Sequence, residues 1–297
     1  MLINKAWFRW AAPMVWGTLN LSIDTQLNPP FEALHRYRHL VCVLEMSHSS
    51  SDMESYAALY FHKLQKLILT GWTKIRSHIY ALLYRHTYLT ELELVITDIW
   101  EPTTKDGPQL WKTIRTLPHL RALYVCDLGV HYVSGESWEM PALRSLKLHY
   151  TALQEKVGKQ LESLARCRSL EYLEWYPAQV LCRTEIAEAR GFVQMVEAGV
   201  WPELEGLAMH PSQLFFSDED IALILAAMPR VTILDMGESN FGPLSFECLQ
   251  THFPVLKDIS LDRCHLTTKD MLLKIMSSCS RLTRSCKSRL TEMAADG

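Results

Sequence analysis

The feature that most constrains this chain is a register of apolar residues that returns every 23 to 34 residues. In Leu143, Leu146, Leu148, Thr151 and Leu153, apolar residues stand at offsets 0, 3, 5 and 10, with a small polar residue at offset 8. The same offsets recur in Leu89, Leu92, Leu94, Thr97, Ile99 and in Leu204, Leu207, Met209, Ser212, Leu214. They recur again in Val231, Leu234, Met236, Ser239, Phe241 and in Leu256, Ile259, Leu261, Cys264, Leu266. Two copies are looser. Leu120, Leu123, Val125, Leu128, Val130 has a leucine at the small polar position, and Leu170, Leu173, Trp175, Ala178, Val180 has a tryptophan in the third apolar slot. A first copy, Leu64, Leu67, Leu69, loses the pattern at Trp72 and Lys74. The first residues are spaced by 25, 31, 23, 27, 34, 27 and 25, and the two long intervals mark insertions near 100–108 and 182–200.

Each copy pairs two periodicities. The x-L-x-L core alternates with period two, which places its leucines on one face of a short strand. The segment behind it carries apolar residues at helical spacing, predicting helices over 79–85, 109–117, 155–166, 186–197, 218–228, 244–252 and 269–278. Many copies open on an apolar–proline pair: Leu117-Pro118, Met140-Pro141, Trp201-Pro202, Met228-Pro229 and Phe253-Pro254. Proline cannot continue a helix and biases its predecessor to extended backbone, so each pair divides helix from strand. Ser217 with Asp220 reads as a capping box opening one of these helices. One strand and one helix cannot bury their apolar faces alone, so neighbouring copies must stack.

This pattern resembles leucine-rich repeats, whose period is about 20 to 29 residues. The resemblance implies an α/β leucine-rich-repeat solenoid, a ribonuclease-inhibitor-like arc with parallel strands inside and helices outside. About eight repeats are recognisable. Beyond Cys279, Leu282 begins a ninth copy that fails, with Ser285 and Lys287 in apolar slots, as at a capping end or a misplaced end of the gene.

The N-terminal stretch carries a second resemblance. Asn4, Lys5, Trp7, Pro13, Val15 and Trp16 stand where fungal F-box/leucine-rich-repeat proteins carry the last helix of the F-box and its exit. The resemblance implies a domain division of 1–30, remnant of that helix and N-terminal cap, and 31–297, leucine-rich repeats. It places Lys5, Trp7, Pro13 and Trp16 at the junction of box and solenoid; equally, these residues close the end of the repeat core. An F-box opens with an LPxE-like segment and two earlier helices. The chain as given starts at the third, implying either lost adaptor binding or a start assigned too far downstream. The implied function is substrate recognition for a Skp1–cullin–F-box ubiquitin ligase, with Skp1 as a partner where a complete F-box precedes. The alternative is a stand-alone leucine-rich-repeat interaction scaffold without a ubiquitin role.

In such strands the residues between the inward leucines face the concave surface. Tyr124, His149, Tyr172, Tyr176 and His210 form an aromatic and histidine group there, of the types that dominate binding hot spots. Glu91, Glu93, Glu174, Asp235, Asp258 and Asp262 outnumber Lys66 and Lys147, so the face is expected to accept a target protein through a Lys- or Arg-bearing segment. An ordinary solvated sheet face is the alternative for any one of these residues.

Composition bounds the rest. With 30 Lys+Arg against 33 Asp+Glu, the net charge of -3 provides no overall basic field, so nucleic acid is not expected as a partner. No run reaches the roughly 18 apolar residues of a membrane span. The eight cysteines form no CxxC and mostly sit in apolar runs, as reduced thiols of an intracellular protein do. His149 and His210 lie two repeats apart, about 9–10 Å, too far for one zinc. No phosphate-binding glycine loop or GxSxG is present. The expectation is a binding protein, not an enzyme, with no cofactor and no metal.

Overall fold

The computed structural model describes residues 5–22, 28–47, 55–56, 58–72, 77–96, 106–127, 139–151, 157–176, 186–209 and 216–296. The chain divides into two compact units, Met1–Glu136 and Ser137–Gly297.

In the first unit the strands are β1 (Thr18–Leu21), β2 (Val43–Ser47), β3 (Lys66–Trp72), β4 (Glu91–Ile96) and β5 (Ala122–Cys126). They pair in parallel in chain order, with Leu44 beside Leu67, Leu67 beside Leu92 and Leu92 beside Leu123. Its helices are α1 (Lys5–Trp16), α2 (Phe31–Tyr37), α3 (Ser77–Arg85) and α4 (Asp106–Arg115). In the second unit β6 (Ser145–His149), β7 (Tyr172–Tyr176), β8 (Gly206–Met209), β9 (Ile233–Asp235) and β10 (Asp258–Ser260) also pair in parallel in chain order. Its helices are α5 (Val157–Ala165), α6 (Ile186–Glu197), α7 (Asp218–Ala227), α8 (Pro243–Leu249), α9 (Lys269–Ser278) and α10 (Arg284–Asp296). Both units are α/β leucine-rich-repeat stacks.

The hydrogen bonding repeats as regularly as the leucines. The carbonyl before each strand accepts two successive N–H groups of the next copy: Cys42 O from Gln65 and Lys66, Gln65 O from Thr90 and Glu91, Arg144 O from Glu171 and Tyr172, Thr232 O from Lys257 and Asp258. The first leucine of a copy closes a turn back to the apolar residue three positions earlier, as Leu120 does to Leu117 and Leu204 to Trp201. In the proline pairs the apolar member is buried and the proline is exposed, so each pair anchors a turn in the core. At offset 7 the chain turns left-handed in five copies, at Gly71, Asp127, Tyr150, Glu238 and Arg263. A bulky residue such as Tyr150 rarely adopts that conformation, so the turn is imposed by the repeat.

Inward positions are buried as expected, including Leu146, Leu148, Leu173 and Leu234. Trp175, in the third slot of its copy, is fully buried and packs on Phe192, which also meets Trp201 and Phe216. At offset 8, Cys264 donates to Met236 O at 3.0 Å and Ser239 accepts from Phe241 N–H, so small polar residues close the turns. Thr97, Ile99, Leu128, Val130, Ala178, Val180, Ser212, Leu214 and the 100–105 part of the first insertion lie outside the described residues.

The capping box of Ser217 and Asp220 is present in both directions. Next to it, Asp218 accepts from the N–H groups of Gly242, Leu244 and Ser245 and from the Ser245 hydroxyl, so α7 caps the following helix as well as its own start. Burial pushes the Asp218 carboxyl up, but these donors outweigh it and hold the group below its usual value.

Two differences stand out. Val41, Leu44 and Met46 form a further copy at offsets 0, 3 and 5, and all three are fully buried. The ninth copy is not a strand: residues 284–296 are helical, and Leu282, Cys286, Leu290 and Ala294 recur every four residues as one buried face.

Candidate functional site

Parallel register builds the site. Pairing of β6 with β7 sets Ser145 beside Tyr172, Lys147 beside Glu174 and His149 beside Tyr176. The two strands have the same alternation, so these six residues share the outward face while Leu146, Leu148, Leu173 and Trp175 are buried. On the next strand Gly206 stands beside Tyr172 and Ala208 beside Glu174.

Glu174 is the centre. Only 8% of its surface is exposed, an unusual state for a carboxylate, and its two oxygens are fully engaged. Oε1 accepts from His149 Nε2 at 2.5 Å. Oε2 accepts from the Tyr172 hydroxyl at 2.9 Å and pairs with Lys147 Nζ at 2.9 Å. Burial alone would raise the Glu174 carboxyl; the bonds from His149 and Lys147 and the charge of Lys147 overcome it and hold the group at about 2. Around this ion, His149 stacks on Tyr176 with ring centres 4.3 Å apart, and Lys147 Nζ lies 5.1 Å above the centre of the Tyr172 ring. Burial and the neighbouring carboxylates of Glu174 and Asp235 push both the Tyr172 and Tyr176 hydroxyls up, so they remain neutral donors.

Gly206 completes the arrangement. A Cβ there would lie 2.3 Å from a ring carbon of Tyr172, so the tyrosine ring rests directly on the glycine backbone. Only a residue without a side chain leaves that space.

The acidic residues fare differently from their count. Glu174 is neutralised by its own neighbours. Glu91 pairs with Lys66 at 3.1 Å in the first unit, and Asp258 pairs with Arg289 of α10 at 2.7 Å in the second. Asp235 accepts the Gly237 N–H at 3.0 Å. Asp262 is exposed, and Glu93 is half-buried beside Tyr124 in the first unit. His210 lies outside the described residues. Of the junction residues, Trp16 stacks on Tyr37 at 4.8 Å and Pro13 is exposed, its carbonyl accepting from Gly17 N–H. Lys5 and Trp7 belong to α1, with side chains outside the described set. The exposed residues of α1 include Trp10, Met14 and Val15, each 66% exposed or more.

Three of the buried thiols are not poised for nucleophilic work. Burial pushes Cys126 and Cys167 up to about 12 and Cys279 up to about 11, so they stay protonated at neutral pH. Among the described residues no cluster of three or more His, Cys, Asp or Glu could hold a metal ion. No helix among them is long and apolar enough to cross a membrane.

No family model matches the sequence. No curated protein matches it either. Among solved structures the chain is similar to one in the crystal structure of the Rad7 and Elc1 complex in yeast, with a TM-score of 0.62 at 14% identity, over 97% of this chain and 76% of that one. At that identity the likeness is one of fold, and it matches the repeat architecture described above.

Proposed function

We propose that this chain is a protein-binding leucine-rich-repeat solenoid that recognises a target through the outward face of β6–β8, as the substrate-recognition part of a Skp1–cullin–F-box ubiquitin ligase. The observation that carries the reading is the Tyr172–Glu174–His149–Tyr176 group. It is a rigid, hydrogen-bonded aromatic surface of the kind that anchors protein interfaces. Its charge is balanced internally, so recognition here rests on ring faces and hydroxyl groups more than on attraction of Lys or Arg. Cationic segments would meet the less compensated acids, Asp235 and Asp262.

The ligase half of the reading is supported by the resemblance of residues 4–16 to the last helix of an F-box and by the exposed apolar residues of α1. The chain of similar fold comes from a complex of two proteins, Rad7 and Elc1. In this role the chain performs no chemistry; it holds a target while other subunits transfer ubiquitin.

The test is a pulldown of recombinant Skp1 with this chain, with a version extended to any upstream in-frame start, and with Trp10→Ser/Met14→Ser variants of both. Capture that is lost in the variants supports the ligase reading. Failure of both versions to bind removes it and leaves an interaction scaffold, whose target face is tested separately by Tyr176→Ala.

A further inference from the structure

The net charge of -3 conceals a segregation of charge along the edge where each helix turns into the next strand. In the second unit this edge is mixed and paired through the turns before β6 to β9, and only the turn before β10, residues 252–257, has a cation, Lys257, and no acid. Arg166 meets Glu139, Arg144 meets Glu171, and Arg230 meets both Glu203 and Glu205. In the first unit the corresponding turns, residues 37–42, 60–65, 85–90 and 116–121, contain no Asp or Glu.

Instead each turn carries a cation with an aromatic or imidazole ring. Arg38 comes with His39 before β2, and Lys63 with Tyr60 before β3. Arg85 comes with Tyr88 before β4, and Arg121 with His119 before β5. None of these four cations has an ion-pair partner among the described residues. Arg38 and Arg85 are instead fixed on backbone carbonyls, of His35 at 2.8 Å and Ala58 at 2.7 Å. The rings are exposed: Tyr88 at 66%, stacked within 4° of parallel on His119, and Tyr60 at 41%, stacked on His86. Adjacent turns follow the strands, about 4.8 Å apart.

We propose that this turn edge of the first unit binds single-stranded nucleic acid. A repeating unit of one positive charge and one flat ring matches a nucleotide, which offers one phosphate and one base. An acidic polypeptide would use the cations but has no use for the rings. Base stacking on exposed aromatics beside a cationic track is how single strands are held without regard to sequence.

The experiment is fluorescence anisotropy of a labelled 20-nucleotide oligouridylate with the full chain at low salt. Saturable binding is expected, weakening about sevenfold for each doubling of salt if four phosphates are neutralised. Tyr88→Ala is expected to weaken binding about tenfold with the salt slope unchanged, because it removes stacking and no charge. Lys63→Glu/Arg121→Glu should abolish binding, whereas Arg230→Glu, on the paired edge of the second unit, should leave it unchanged. Thermal melts confirm that the variants are folded. Absence of binding overturns the proposal. So does equal competition by polyglutamate together with an unaffected Tyr88→Ala variant, which would make the edge a docking surface for acidic protein.

Discussion

His149 Nε2 lies 2.5 Å from Glu174 Oε1, joining β6 to β7 through a carboxylate that is almost wholly shielded from water. This contact cross-links the two strands on the outward face of the second unit. It also makes Glu174 a titrating element of stability. The folded state holds its carboxyl at about 2, against an ordinary 4.5. A depressed carboxyl contributes stability that is complete above the unfolded value and is lost as pH falls through 4.5 toward 2. Glu174→Gln removes the charge that Lys147 and His149 face, and should cost on the order of 2 kcal/mol at neutral pH. Urea unfolding at pH 7 and pH 3 checks this: the gap between wild type and variant should narrow at the lower pH. An equal gap at both would mean that the carboxylate is not the source.

Gly206→Ala should act through Tyr172. The new Cβ would force the ring aside, breaking its hydroxyl bond to Glu174 and its contact with Lys147. The cost should be about 1–3 kcal/mol, the range for overpacking. In a double-mutant cycle with Tyr172→Ala the two losses should be clearly less than additive, because the second substitution removes the ring that the first collides with. Additive losses would place the Gly206 effect in the backbone instead.

Much of this was readable from the sequence, and what was not has definite causes. Leu146 and Leu148 reveal a strand because period two alone decides which side chains point inward. The pairings of Lys66 with Glu91 and Lys147 with Glu174 follow from parallel stacking, since each pair occupies the same outward position of adjacent copies. Counting acids without pairing them overstated the negative character of the face. Gly206 holds an outward position of its copy, but nothing in the sequence shows that a ring lies across it. The Val41 copy was also legible: Val41, Leu44, Met46 and the small polar Ser49 fit the offsets, and only Ser51 departs where an apolar residue is usual. The last segment was read in the register of the repeat, where Ser285 and Lys287 fail. Read at helical spacing, Leu282, Cys286, Leu290 and Ala294 form one face, and the sequence contained that signal.

His86 should give the first unit its own pH dependence. The buried ring accepts the Phe61 N–H on Nε2 at 2.9 Å and donates from Nδ1 to Leu82 O at 2.6 Å, which requires the neutral form. Burial lowers its pKa below 6.5, with Arg85 and His62 adding to the shift and the Leu82 carbonyl opposing it. The folded state therefore binds fewer protons than the unfolded state. Stability is complete above about pH 6.5 and declines as pH falls below that value toward the folded pKa. His86→Ala should lose about 1–3 kcal/mol at pH 7.5, since the Phe61 N–H is left unsatisfied. Its stability should also vary less between pH 7 and 5 than that of the wild type. A variant with the same slope as wild type would exclude His86 as the source.

The far end of the second unit carries the fourth prediction. A last strand exposes a row of unpaired backbone groups, and such edges recruit other chains. On β10 that row is met by α10. The Ile259 N–H donates to Cys286 Sγ, and the Ile259 carbonyl accepts from the Cys286 thiol and from Arg289 Nη2, which also holds Asp258. Burial raises the Cys286 pKa, so the thiol keeps the proton that it donates. Cys286→Ala/Arg289→Ala removes every side-chain partner of Ile259 while leaving Leu282 and Leu290 to hold the helix. The double variant should remain folded by circular dichroism, lose about 1–3 kcal/mol, and self-associate with rising concentration in sedimentation velocity. Arg289→Lys, which keeps the charge and a donor, should stay monomeric under the same conditions. A double variant that stays as monomeric as the wild type would show that α10 does not guard the edge, and that the charges around Asp258 and Arg263 do so instead.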